Sequence, residues 1–181
     1  NISIVVPSDP FELFKILQEA VYYKNSLYIR LTAGANTRII NSKDYKFKIG
    51  KAIEIMSGDN VAIISNGNII GNCIDAAVLL KKNKISCSVI NMHTIKPIDK
   101  KKIVEISKKF KLIITNEEHN IIGGLGSAVA EVLSGEITNT KLVRLGADDH
   151  YSSGGSYEYL KNIYGLSVQK IIRTILKNYE K

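Results

Sequence analysis

Residues 61–92, VAIISNGNIIGNCIDAAVLLKKNKISCSVINM, carry the pattern on which the fold turns. Val61 to Ser65 is a short apolar run rich in β-branched residues and reads as a strand. From Ile69 to Lys82, Ile70, Cys73, Ile74, Ala77 and Leu80 fall on one face of a helix. Ser88 to Met92 is a strand again. Downstream the alternation continues: Asp99 caps a helix carrying Ile103, Ile106 and Phe110, and Leu112 to Thr115 forms a strand. A glycine-rich turn leads to a helix with Leu125, Ala128, Val129, Val132 and Leu133, and Lys141 to Leu145 is a further strand. The end is helical, from Tyr157 to Tyr164, with Gly165 as a stop and Ser167 capping a face of Val168, Ile171, Ile172, Ile175 and Leu176. Four alternations of strand and helix predict an α/β domain, three-layered and doubly wound around a mostly parallel sheet. Upstream, Lys51–Met56 and Val61–Ser65 flank SGDN, a turn suited to a hairpin, so the 51–56 arm is expected to add one antiparallel strand.

The first 31 residues read as a separate strand–helix–strand unit. Ile2 to Val6 is a strand. Asp9-Pro10-Phe11-Glu12 starts a helix, with Asp as N-cap, Pro at its first position and Glu at its third. Phe14, Leu17 and Val21 continue one face to about Tyr23, and Leu27 to Leu31 is a second strand. Such a βαβ unit belongs to a parallel sheet, and two strands need further strands from elsewhere. Residues 32–50 lack sustained periodicity and read as a linker. The division is therefore 1–31, 32–50 and 51–181.

Among 181 residues, 45% are hydrophobic and 23% charged, which excludes collagen-like, low-complexity and largely disordered chains. No apolar run approaches the about 18–20 residues of a membrane span. NISIVVPSDP reaches acid and proline too early for a signal peptide. The chain starts at Asn1 rather than Met, which points to sequence upstream. Cys73 and Cys87 lie within apolar patterns and are expected to be buried free thiols in a reducing, cytoplasmic setting. The net charge of +8 comes largely from helix faces such as KKNK at 81–84 and KKK at 100–102, a solvated basic surface. Nucleic-acid binding lacks aromatic interleaving and any module signature.

In an open α/β sheet, ligands bind beyond the carboxyl ends of the strands. Three polar sets fall there: Asn66-Gly67-Asn68, His93-Thr94, and Glu117-Glu118-His119. His93, Glu118 and His119 could together form an acid/base or metal cluster, the alternative being polar loop anchors or a subunit contact. His150, in ADDHYSSGG, reads as exposed. Gly123-Gly124-Leu125-Gly126-Ser127 lies between strand and helix, where backbone N–H groups could hold an anion. However, the dinucleotide fingerprint is incomplete and no Walker lysine is present, so a tight structural turn is the expected role. Arg30 stands in the apolar run LYIRL, where its charge requires an anionic partner. A structural salt bridge and a clamp on a phosphate or carboxylate are equally compatible with that position.

The segments VVPSDPFE, SLYIRLTAG, DYKFKIGKA, NMHTIKPID, NEEHNIIGGLGSAVAEVL and SSGGSYEYLKNIYGL follow in this order over essentially the whole chain. Together they resemble the C-terminal part of the transketolase family, most of all split transketolases whose C-terminal section is a separate polypeptide. Deoxyxylulose-phosphate synthase and the β subunits of 2-oxoacid dehydrogenases are the alternative relatives. A free-standing anion-binding regulatory module is the non-enzymatic alternative. The resemblance implies that 1–31 is the end of a pyrimidine-binding domain, 32–50 a linker and 51–181 the C-terminal domain. It further implies a complete enzyme that uses thiamine diphosphate with Mg²⁺ or Ca²⁺ to move a two-carbon ketol unit between sugar phosphates. The cofactor and metal motifs lie upstream in that family, so this chain alone is expected to bind neither and to be inactive. The implied partner is an N-terminal thiamine-diphosphate-binding region or subunit, in a homodimer or heterotetramer. Of the family's functional residues only Arg30 matches, as the arginine that helps to hold the sugar phosphate.

Overall fold

The computed structural model describes residues 1–32, 38–41, 45–151 and 153–179. In chain order the elements begin with β1 (Ile2–Val5), α1 (Pro10–Ala20), β2 (Ser26–Ile29), β3 (Ile53–Met56), β4 (Val61–Ser65) and α2 (Ile70–Leu80). They continue with β5 (Cys87–Asn91), β6 (Thr94–Lys96), α3 (Lys100–Lys109), β7 (Leu112–Asn120), α4 (Leu125–Ser134), β8 (Lys141–Ala147), α5 (Tyr157–Ile163) and α6 (Val168–Asn178).

The larger sheet has the order β3-β5-β4-β7-β8, parallel except for β3. Every residue of β4 is buried, because parallel strands flank it and helices cover both faces. On one face Val61, Ile63, Cys73, Leu80, Val89, Ile114, Ile171 and Ile175 form the core beneath α2 and α6. On the other Ala62, Ile64, Ile90, Met92, Ile103, Ile113, Leu125 and Val129 pack beneath α3 and α4. This is the three-layer arrangement that the alternation predicts. Both cysteines are buried and free. Among the described residues no helix is long and apolar enough to cross a membrane.

The expected hairpin does not form. The strand before the SGDN turn is antiparallel, but it pairs with β5 (Ile53↔Asn91, Glu54↔Ile90) and not with β4. Both edges of β4 are occupied by parallel neighbours, β5 and β7. Gly58 shows how the turn is used: a Cβ there would lie 2.3 Å from the carbonyl carbon of Cys87. The chain therefore leaves β3 at the sheet edge, where its half-exposed face is tolerated, and crosses tightly over the start of β5 to enter β4.

A second, three-stranded sheet has the order β2-β1-β6. β1 and β2 are parallel, with Ile2 opposite Ser26 and Val5 opposite Ile29. β6, from the chain beyond residue 51, adds antiparallel to β1 through Val5↔Thr94 and Ile4↔Lys96. The stretch containing His93 thus runs directly from the large sheet into the small one. Residues 33–37 and 42–44 of the expected linker lie outside the described residues. Among its other residues Ile49 joins Val5 and Ile16 in a small core with Phe47 against it. Asp9 caps α1, accepting from Glu12 N–H at 2.8 Å, and its other oxygen accepts from the N–H groups of Ile40 and Asn41.

Candidate functional site

The carboxyl ends of β2, β4 and β7 converge on a pocket of about 180 Å³. Arg30 directly follows β2, Asn66 directly follows β4, and Glu118 and His119 lie near the end of β7; all four line the pocket. β7 runs five residues beyond its expected end at Thr115, so Glu117, Glu118 and His119 are strand residues and not a loop. Pairing with β8, which also runs longer, carries the extension as far as Asn120↔Ala147.

Arg30 N–H donates to Val5 O at 2.9 Å, which fixes its backbone beside β1. Its Nη2 donates to the backbone carbonyl of Glu118 at 2.6 Å. Among the described residues Arg30 forms no ion pair with any carboxylate. The described residues thus supply a neutral carbonyl, and no acidic side chain, as the partner of this guanidinium. Asn66 is buried, and among the described residues its Nδ2 has no hydrogen-bond partner. Arg30 and Asn66 thus line one pocket with Glu117 and Glu118, and among the described residues neither donor is bonded to a carboxylate. A buried donor such as Asn66 Nδ2 costs free energy while it lacks an acceptor.

Glu118 directs its carboxylate elsewhere. Thr32 Oγ1 donates to Oε2 at 3.1 Å, and Tyr157 OH donates to Oε1 in a short hydrogen bond. His119 is exposed, with Nδ1 2.8 Å from Asn120 O. His93 does not join them. It is fully buried, its Nδ1 lies 2.8 Å from Thr94 Oγ1, and its ring centroid is 4.5 Å from that of Phe47. Burial pushes its pKa down to about 4, so the ring is neutral at pH 7. The cluster of His93, Glu118 and His119 therefore does not assemble, because the small sheet draws His93 beneath Phe47. Among the described residues no three His, Cys, Asp or Glu side chains are placed to hold a metal ion. His150 is exposed, as read from its turn-rich segment, and stacks on Tyr164.

The glycine loop at 123–127 has an occupant within the chain. Glu117, 1% exposed, turns its carboxylate onto the start of α4, accepting from Leu125 N–H at 2.6 Å and Gly126 N–H at 2.8 Å. Burial raises its pKa, against the pull of those two N–H groups and of the charges of His119 and Arg144. A Cβ at residue 124 would stand 1.9 Å from Glu117 Oε2, so only glycine lets the carboxylate approach. The helix N-terminus that could attract a phosphate already holds the Glu117 carboxyl group. With Glu117 in place, a diphosphate does not fit this loop.

The sequence places Glu117 in a polar set at the strand ends but not against α4, and it gives no role to Thr32, Tyr157 or the buried carboxylate of Glu12. Glu12 accepts from Ser8 N–H, Ser8 Oγ, Tyr45 OH and Asn91 Nδ2, joining α1, the 32–50 stretch and β5. Burial raises its pKa against all four of these bonds. The signal available for Glu117 was an acid shortly before a Gly-Gly-Leu-Gly helix start; for Tyr157 there was none.

Residues 50–171 match the family described as transketolase, C-terminal domain. A chain named a transketolase C-terminal section, from Methanocaldococcus jannaschii, is 35% identical over 183 residues, covering 100% of this chain and 57% of its own length. A 1-deoxy-D-xylulose-5-phosphate synthase from Caldanaerobacter subterraneus is 34% identical over 99% of this chain and 29% of its own length. Among solved structures, a split-gene transketolase described as an inactive β4 tetramer superposes with a TM-score of 0.90 at 32% identity, over 98% of this chain and 57% of that one. The chain therefore spans just over half the length of its split-type relatives and less than a third of the synthase. On the matched domain and the likeness along its full length, this chain belongs to the transketolase C-terminal domain family.

Proposed function

We propose that this chain is the C-terminal portion of a transketolase-type transferase that moves a two-carbon ketol unit from a ketose phosphate to an aldose phosphate, with Arg30 as a ligand of the substrate phosphate. The observation that carries the reading is the Arg30 guanidinium. It stands at the carboxyl edge of the strands, bound to a neutral carbonyl and unpaired with any acid among the described residues, beside the unpartnered Nδ2 of Asn66. A phosphate dianion matches the planar fork of the guanidinium.

The thiamine diphosphate, with Mg²⁺ or Ca²⁺, belongs in this reading to an N-terminal region or subunit, and the assembled enzyme is a homodimer or heterotetramer in the cytoplasm. Residues 1–31 are then the end of the pyrimidine-binding domain, 32–50 a linker and 51–181 the C-terminal domain. The first unit supports such a partner. The outer edge of β2 is unpaired among the described residues, and Phe14 and Leu17 on α1, with Val21 and Tyr22 just beyond it, expose apolar surface.

The test is to assemble the chain with the thiamine-diphosphate region and assay ketol transfer to a phosphorylated and a non-phosphorylated aldose, with Arg30 intact and replaced. Selective loss on the phosphorylated acceptor supports the reading; equal activity of Arg30→Ala on both overturns it. A synthase-type activity is the second reading, favoured by 34% identity along nearly the whole chain. It predicts turnover with a 2-oxoacid donor in place of the ketose phosphate.

A further inference from the structure

Resting on that reading of Arg30, we infer that Glu118, Thr32 and Tyr157 form a positioning latch that holds a carboxylate away from Arg30 and leaves the guanidinium charge free for the substrate phosphate. A glutamate and an arginine lining one pocket ordinarily pair, and the pair would cancel the charge on which phosphate binding depends. Here the glutamate uses two different groups. Its backbone carbonyl fixes Nη2 of Arg30 without neutralising it. Its two carboxylate oxygens are taken separately, Oε2 by Thr32 and Oε1 by Tyr157.

The two tethers come from distant parts of the chain. Thr32 lies two residues beyond Arg30, so it couples the position of the carboxylate to the segment that bears the guanidinium. Tyr157 opens α5, whose N-cap Ser156 accepts from Tyr159 N–H, and Lys161 Nζ lies 4.7 Å from the centre of the Tyr157 ring. Burial, followed by the hydrogen bond to Glu118 and its charge, pushes the phenol pKa up, so Tyr157 remains a donor at physiological pH. Glu118 and Tyr157 act through Arg30 and are positioning residues.

The test uses the complete enzyme with the variants Arg30→Ala, Tyr157→Phe, Thr32→Val and Tyr157→Phe/Glu118→Gln. Tyr157→Phe releases one carboxylate oxygen toward Arg30. KM for the phosphorylated acceptor is expected to rise roughly tenfold, the loss of one charge-assisted hydrogen bond, with a smaller change in kcat and none in KM for the non-phosphorylated acceptor. Inhibition by inorganic phosphate should weaken by a similar factor. Thr32→Val should act in the same direction without touching α5. The double variant should regain most of the lost affinity, because the released side chain no longer carries charge. A merely structural tyrosine cannot give that rescue.

The inference is overturned if Tyr157→Phe leaves the KM ratio of the two acceptors unchanged while Arg30→Ala raises it. It is also overturned if the double variant is no better than Tyr157→Phe, or if Tyr157→Phe lowers Tm and weakens both acceptors equally. If Arg30→Ala itself leaves the ratio unchanged, the phosphate reading of Arg30 fails, and the latch with it.

Discussion

Glu117 and Glu118 are adjacent in the chain and sit in opposite electrostatic settings. Glu117 is buried and closes an anion site with its own carboxylate, joined to the first N–H groups of α4. Glu118 lies beside a cation and does not close it; its oxygens are tied to two hydroxyl groups, and Arg30 keeps its charge. The two neighbouring carboxylates thus take different partners, Glu117 the start of α4 and Glu118 the hydroxyl groups of Thr32 and Tyr157. A helix N-terminus or an arginine is therefore poor evidence for a ligand until the nearest internal acid has been located.

The largest effect that can break this contrast is at Arg30. In the assembled enzyme Arg30→Ala should lower kcat/KM for a phosphorylated acceptor by an amount on the order of 2–4 kcal/mol, roughly 30- to 1000-fold, with Tm nearly unchanged. Arg30→Lys should recover only part of it, since lysine lacks the planar fork. A large drop in Tm with equal losses on both acceptors would assign Arg30 to the filled class.

At the filled site the readout is stability. Glu117→Ala leaves two buried N–H groups without their acceptor and should cost about 3 kcal/mol in denaturant unfolding, without altering acceptor preference. An unchanged midpoint would show that water replaces the carboxylate at no cost. Gly124→Ala drives a methyl group against the same oxygen and should cost about 2 kcal/mol by overpacking. If it proves neutral, the approach of Glu117 is looser than the 1.9 Å spacing requires.

His93 extends the contrast to a group that is buried and uncharged. Its pKa falls from 6.5 to about 4 on folding, so between these values the unfolded chain binds more protons than the folded one. Stability should fall as pH drops through that window, by about 1–2 kcal/mol between pH 6.5 and 5 from His93 alone. Glu12 and Glu117, whose pKa values are raised, act in the opposite sense. The difference in slope between the parent and His93→Gln isolates the histidine. Parallel curves would refute its burial as a neutral ring. The smallest expected effect is none: thiamine diphosphate added to the isolated chain should give no binding heat and no shift in Tm. Micromolar binding would mean that the start of α4 can exchange Glu117 for a diphosphate.

The layers of the fold were legible because they arise from local periodicity. Ile70, Cys73, Ala77 and Leu80 announce a buried helix face through spacing alone, and all four are buried. The partner of β3 was not legible. SGDN specifies a turn, but the choice between β4 and β5 depends on which edge the parallel crossovers leave open. The end of β7 was missed for a related reason. Asn116 to Asn120 has no apolar pattern, and its extended backbone is held by pairing with β8 and by buried contacts of Glu117.

What the sequence by itself determined is the list of elements, the apolar faces that make three layers, the buried free thiols and the suspicion attached to Arg30. Those features depend on residues within a few positions of one another, or on a charge placed in an apolar run. Only the tertiary structure decided which acids meet which cations. It separated His93 from Glu118 and His119, filled the glycine loop with Glu117, and set Arg30 against a carbonyl 88 positions away. Electrostatic partnership depends on distance in space and on burial, and neither follows from spacing along the chain.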